Sequence, residues 1–191
     1  MRRIERLLLR RPELFSVRYA VFRARVPVLK LCYQESLEVD LSVNNSTPLR
    51  NTRLLRAYAD LDPRVRELGV AVKLWAKGQG VCGAAAANLS SYAFLLLAIY
   101  FLQAVGAVPS LQCTGAGDSS FDDDASAASL ARAAASAGWR PSGSVGALLS
   151  RFFAFYSSEF AWGSEVVSVR LRRPARRTAP GGGTPPRGGG G

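Results

Sequence analysis

The sequence predicts an α+β chain, predominantly helical, and three observations carry that reading. Apolar residues recur at helical spacing from Leu54 to Trp75 and again from Val145 to Tyr156. Between them, no charged residue occurs from Lys77 to Asp118, and a ten-residue apolar block, Ala93–Leu102, lies inside that stretch. Residues 25–43 instead alternate between apolar and polar, the period of a half-buried strand. A chain of 191 residues is long enough for one ordinary domain or two small ones with a real core.

The first eleven residues hold Arg2, Arg3, Arg6, Arg10 and Arg11 around a Leu7–Leu9 block. They read either as an amphipathic surface helix or as a mitochondrial presequence; Glu5 and Glu13 weigh against the presequence, because transit peptides are poor in acids. Arg25–Tyr33 is β-rich, with Val26, Val28 and Leu31, and is broken only by Pro27. The next run places Leu37, Val39, Leu41 and Val43 on one face and Glu38, Asp40 and Ser42 on the other. Two strands are therefore expected, with Asp40 held by a rigid element on the polar face.

From Leu49 the period becomes helical, and it pauses at Asp60–Asp62. Asp62-Pro63 is an N-cap followed by proline at the first helical position. Val65, Leu68, Val72 and Trp75 follow, and Gly78 and Gly80 end the helix. Lys73 and Lys77 fall one turn apart on a single face, where both ammonium groups either are solvated or reach the same anion. Residues 89–108 raise a transmembrane reading, but Ser90, Ser91, Tyr92 and Gln103 interrupt them and the apolar block is half the length of a span. A buried helix capped by serine is expected, with no membrane partner.

Residues 114–144 are rich in Gly, Ala, Ser and Asp and read as a flexible loop. Val145, Leu148, Leu149, Phe152, Phe153 and Tyr156 form an aromatic helical stripe, read as packing. Val166–Leu171 is expected to be a strand, and 171–191 a disordered Arg/Pro/Gly-rich tail.

Charge is unevenly spread. Residues 1–30 net +7, residues 170–191 net +6, and the stretch between nets −2. Basic ends on a near-neutral body suit a polyanion such as RNA. The absence of histidine excludes mechanisms that need an imidazole base or ligand. Three cysteines without C-x-x-C spacing argue against both a zinc knuckle and a disulfide framework, and fit a reducing compartment.

Five runs stand in one order: ARVPVLKL (24–31), VDLSVNN (39–45), LRNTRLLRAYADLDPRVRELGVAVKLWAKGQGV (49–81), LSSYAFLLLAIYFLQ (89–103) and GSVGALLSRFFAFYSSEFAWGSEVVSVR (143–170). Together they resemble the RNA terminal nucleotidyltransferases, that is, terminal uridylyltransferases and cytoplasmic-type poly(A) polymerases, over about three quarters of the chain. The resemblance implies a remnant of a nucleotidyltransferase palm sheet at 1–45 and a helical nucleotide-binding and PAP-associated domain at 46–170. It implies template-independent addition of uridylate or adenylate to RNA 3′ ends, with UTP or ATP as substrate and two Mg²⁺ or Mn²⁺ ions as cofactors.

By that resemblance Asp40 is the third metal-binding catalytic carboxylate. Asn51, with Thr52 beside it, meets the ribose 2′-OH, since an amide both donates and accepts. Lys73 and Lys77 grip the triphosphate. Ser91, next to Ser90 at a helix start, bonds a terminal phosphate oxygen, and Tyr92 stacks on the base.

Two departures qualify this. The family's Gly-Ser turn and Asp-x-Asp strand precede the third carboxylate, and this sequence begins after them; Gly117-Asp118-Ser119 and Asp122–Asp124 lie downstream and do not replace them. After the PAP-associated strand the chain reads ARRTAPGGG, without the family's base-recognition loop. The expectation is a fragment of the enzyme with little or no activity of its own. The alternative is an inactive nucleotide- or RNA-binding pseudoenzyme. The expected location is the cytoplasm, with the mitochondrion as the alternative from the basic N-terminus.

Overall fold

The computed structural model describes residues 1–83, 87–112, 135–136, 138, 142–170 and 175–176. They fall into two compact units, 1–51 and 52–191. The expected flexible loop at 114–144, with both of its acidic clusters, lies almost wholly outside the described residues.

In the first unit, helix α1 (Arg2–Leu8) precedes strands β1 (Phe15–Val21), β2 (Val28–Tyr33) and β3 (Leu37–Ser42). The strands form an antiparallel sheet in the order β1-β2-β3. Cross-strand pairs Leu29–Leu41 and Leu31–Val39 put the aliphatic residues on one face, and Leu29 and Leu31 are buried. Lys30 pairs with Asp40 on the opposite face, where alternation along β3 places the carboxylate. The two expected strands are present with Pro27 just outside β2, but β1 is a third that the sequence reading left out. Its alternation slips at a bulge between Val17 and Tyr19, which leaves Tyr19 and Val21 exposed and turns Ala20 inward.

Helix α2 (Thr47–Leu61) begins directly after the sheet and runs across the boundary between the units. In the second unit it is followed by α3 (Pro63–Gly78), α4 (Ser91–Ala104) and α5 (Val145–Ala154), the last continued by a π-helical turn over Phe155–Glu159. The start of α3 is the one its sequence announces. Asp62 is extended, its carboxylate accepts from the Arg64 backbone N–H at 2.9 Å, and Pro63 needs no hydrogen-bond partner there. Leu97 to Leu102 are all buried, so α4 is the central helix of the core rather than a membrane span. No helix among the described residues is long and apolar enough to cross a membrane. Around it pack Tyr58, Leu68, Val72, Phe152 and Phe160. The aromatic stripe of α5 joins this core as expected, with Phe101 and Phe152 edge to face at 5.7 Å.

The last expected strand is largely unrealised. Among the described residues only Glu165–Val166 (β4) pair, with Ala175–Arg176 (β5), so part of the tail read as disordered is strand; its remaining residues after Arg170 lie outside the described ones. Side chains take over the backbone bonding further on. The Val169 carbonyl accepts from Gln103 Nε2 at 3.0 Å and from Ser110 Oγ at 3.3 Å. Gln103 Nε2 also donates to the Tyr58 hydroxyl at 2.6 Å, and that hydroxyl accepts from the Leu111 N–H at 3.0 Å. The segment is pinned to the helical core by side chains, which meets its hydrogen-bonding need without a ladder.

Candidate functional site

In the first unit, Asp40 opens onto a depression of about 760 Å³ whose polar wall is Asp40, Ser42, Asn44, Asn45 and Ser46. Its carboxylate is exposed and lies 3.3 Å from Lys30 Nζ. Lys30 stands over the Tyr19 ring at 5.5 Å, so Tyr19, Lys30 and Asp40 form a row across all three strands. Tyr19 first and Asp40 second hold the Lys30 ammonium charged above its ordinary range. Asn44 adopts φ +55°, which asparagine tolerates better than most residues, and this turns the chain out of β3 toward α2.

Two features of this wall bear on the expected site. The amides lining it are Asn44 and Asn45, while Asn51 lies half-buried on α2 and outside it. The signal was present in the sequence, as the Asn-Asn pair directly after the alternating strand, four residues from Asp40. Asp40 is also the single carboxylate in the wall, and among the described residues no group of three His, Cys, Asp or Glu side chains is placed to hold a metal ion. With its charge already facing an ammonium, Asp40 alone does not fit a two-metal centre.

The second unit holds the remaining expected residues. Thr52 is exposed on α2. Lys73, half-buried, and Lys77, exposed, project from one face of α3. Ser90 caps α4, its hydroxyl accepting from the Ala93 N–H at 3.2 Å, so it is occupied as a cap. Ser91 begins the helix with its Oγ 3.3 Å from Cys82 Sγ. Tyr92 is half-buried, and desolvation pushes its phenol pKa up, so the ring is neutral at ordinary pH.

Described residues between the two helices are hydrogen-bonded to one another. The Gly83 N–H donates to the Leu89 carbonyl at 2.9 Å, and Asn88 Nδ2 donates to the Gly80 carbonyl at 3.0 Å. These bonds lie between the lysine-bearing end of α3 and the N-terminal turn of α4. Further along, α3 and α4 approach closely, and a β-carbon at Gly69 would lie 2.9 Å from Leu95 Cδ2. Two cations, the first turn of a helix capped by Ser90 and an aromatic ring thus stand on two helices that pack together, a combination suited to a nucleoside polyphosphate. Trp75 packs against Phe153 at 4.8 Å and Phe94 at 6.5 Å, in keeping with a packing role.

Comparison with known proteins gives these geometries a context. Residues 1–60 match the family model described as poly(A) RNA polymerase, mitochondrial-like, central palm domain. The poly(A) RNA polymerase GLD2 of Mus musculus is 35% identical over 156 residues, 78% of this chain and 32% of that protein. GLD2-B of Xenopus laevis is 35% identical over 162 residues, 82% of this chain and 31% of its own. Among solved structures, the GLD-2/RNP-8 complex superposes with a TM-score of 0.69 at 27% identity, over 88% of this chain and 54% of that one. A cytoplasmic RNA terminal U-transferase gives 0.67 at 27% identity, over 89% and 53%. Terminal uridylyl transferase 4 from Trypanosoma brucei with bound GTP gives 0.70 at 21% identity, over 92% and 51%, a likeness of fold. The chain spans about a third of the length of the curated relatives it matches.

Proposed function

We infer, for a chain that belongs to the RNA terminal nucleotidyltransferase family, that its helical unit binds the nucleoside triphosphate for template-independent addition to RNA 3′ ends. The observation that carries this reading is the presence of Lys73 and Lys77 on α3 and of the Ser90–Tyr92 turn on α4, two helices packed together. Lys73 and Lys77 hold the phosphates as point charges. The backbone N–H groups of the first α4 turn and the Ser91 hydroxyl take a terminal phosphate oxygen, and Tyr92 stacks on the base. Asn51 and Thr52 of α2 are the proposed ribose contacts.

The substrate is UTP or ATP, carried with Mg²⁺ or Mn²⁺, and the acceptor is the 3′ hydroxyl of an RNA. Asp40 is the proposed palm carboxylate. Because it is the one carboxylate of its depression and pairs with Lys30, the described residues supply no complete metal centre, and no bond-making step is assigned to them. The same observation favours a second reading, in which the chain as given binds triphosphate or RNA without turning it over.

Calorimetric titration of the full chain with UTP and with ATP tests the first reading. Charge-assisted contacts of this kind are each worth about 1.5–3 kcal/mol, so Lys73→Ala or Lys77→Ala is expected to weaken binding about ten- to hundredfold. Affinity unchanged in both variants would remove the triphosphate site. Incubation with labelled UTP or ATP, Mn²⁺ and a short RNA separates the two readings, because vigorous tailing by the chain itself would eliminate the second.

A further inference from the structure

The Cys82 thiol touches a residue of the proposed triphosphate site without having a part in that site so far. Its Sγ lies 3.3 Å from Ser91 Oγ, a hydrogen bond in which either atom can donate. Both residues are half-buried, and Cys82 also packs against the helical core. Its backbone is fixed independently of Ser91. Cys82 bridges to Leu89 in parallel, the Gly83 N–H donates to the Leu89 carbonyl at 2.9 Å, and the Gly83 carbonyl accepts from the Asn88 N–H at 3.2 Å. The sulfur is therefore held beside the segment that leads into α4, and its position does not depend on the Ser91 side chain.

The other groups of this turn define what Ser91 has to do. The Ala93 N–H is taken by Ser90 Oγ at 3.2 Å, and the Phe94 N–H by the Ser90 carbonyl at 3.2 Å. Donation to an anion at this turn falls to the N–H groups of Ser91 and Tyr92 and to the Ser91 hydroxyl. A hydroxyl has one proton and two lone pairs, whereas an ionised phosphate oxygen offers lone pairs alone. Ser91 can serve a phosphate only with its proton turned toward it, and the bond with Cys82 then runs from the S–H to Oγ. In the opposite direction the Ser91 proton is spent on sulfur, and oxygen lone pairs face the anion.

We propose that Cys82 is a positioning residue for the triphosphate: its S–H donates to Ser91 Oγ and leaves the Ser91 proton for the terminal phosphate. The inference rests on the triphosphate site proposed above and adds to it a residue that touches no phosphate itself. A serine side chain has three staggered rotamers, so holding one of them in advance is worth up to about threefold in affinity. Donation to the oxygen also polarises its O–H, which strengthens the bond to phosphate further.

The test is calorimetric titration of the full chain with UTP and ATP and with the matching diphosphates, UDP and ADP. Cys82→Ala is expected to weaken triphosphate binding about three- to fivefold. Diphosphate binding should be unchanged, because a diphosphate lacks the group that Ser91 holds. Cys82→Ser keeps a donor in the same place and is expected to restore triphosphate affinity to within about twofold. In a Ser91→Ala background, Cys82→Ala should have no further effect.

Equal losses for triphosphate and diphosphate, or a loss that persists in Ser91→Ala, would make Cys82 a packing residue and overturn the proposal. Unchanged triphosphate affinity in Cys82→Ala would overturn it as well. Tighter binding in that variant would show that Ser91 donates to sulfur, the reverse of the proposed direction. If the unsubstituted chain binds no triphosphate, or Ser91→Ala alone leaves its affinity unaltered, the proposed triphosphate site itself falls, and the role of Cys82 falls with it.

Discussion

Replacing Asp62 with alanine should cost the helical unit about 3 kcal/mol. Two separate losses make up that figure. Asp62 caps α3 by accepting from the Arg64 N–H at 2.9 Å, and losing such a cap costs about 1 kcal/mol. Its carboxylate, 2% exposed, also holds the Arg64 guanidinium through Nη2 at 2.6 Å and Nε at 3.0 Å. Breaking a buried pair by removing one partner typically costs about 3–5 kcal/mol, because the other charge stays buried and unpaired. Arg64 keeps weaker contacts, with Gly143 O at 3.2 Å and Ala107 O at 3.4 Å, and its side chain is 12% exposed, so the loss belongs below that range.

The same account makes a second, sharper demand. The double variant Asp62→Ala with Arg64→Leu removes the stranded charge and should be more stable than Asp62→Ala alone by about 1–2 kcal/mol. Asp62→Asn retains a cap acceptor and should fall between the single alanine variant and the unsubstituted chain. Urea unfolding followed by tryptophan fluorescence reads this in the right place, since Trp75, Trp139 and Trp162 all follow Thr52 in the sequence. A loss below about 1 kcal/mol for Asp62→Ala, or a double variant no more stable than the single one, would refute the reasoning about the pair.

Tyr58→Phe preserves the ring's volume but removes the acceptor of the Leu111 N–H, and thermal unfolding should show a loss of about 1–3 kcal/mol; an unchanged midpoint would mean that the hydroxyl's bonds are replaceable. Burial raises the phenol pKa of Tyr156, whose hydroxyl donates to the Leu97 carbonyl at 2.9 Å, while the unfolded chain ionises near the ordinary value of about 10. Above that pH the unfolded state binds fewer protons than the folded one. Stability is therefore fully present below about pH 10 and falls as pH rises further, with a limiting slope of about 1.4 kcal/mol per pH unit from this residue. Tyr156→Phe should flatten that alkaline decline in denaturation midpoints measured from pH 8 to 11, and a slope equal to that of the unsubstituted chain would count against it.

What could be read in the sequence was whatever depends on neighbours in the chain. The cap and proline at Asp62-Pro63 act within one turn, and the alternation through Asp40 acts within one strand, so both reached the structure as written. The misses have non-local causes. A bulge opposite β2 hides β1 by shifting its period between Val17 and Tyr19. Residues 167–169 continue the strand-like pattern of β4, but side chains 59 and 66 residues away take the Val169 carbonyl, and a local pattern contains no trace of such partners.

The site divides along the same line. The spacing of Lys73 and Lys77 is local and was visible, although spacing alone left open whether the pair was solvated or bound an anion. The family motifs weighted the second choice. Arg66 stands in the same motif, and its place beside a cleft is not legible there. That cleft exists only where Gly69 lets Leu95 of another helix approach, and neither glycine nor leucine announces this by itself. The motif thus singles out Lys73 and Lys77, whereas the packing of α3 on α4 shows which of their neighbours line a cleft beside them.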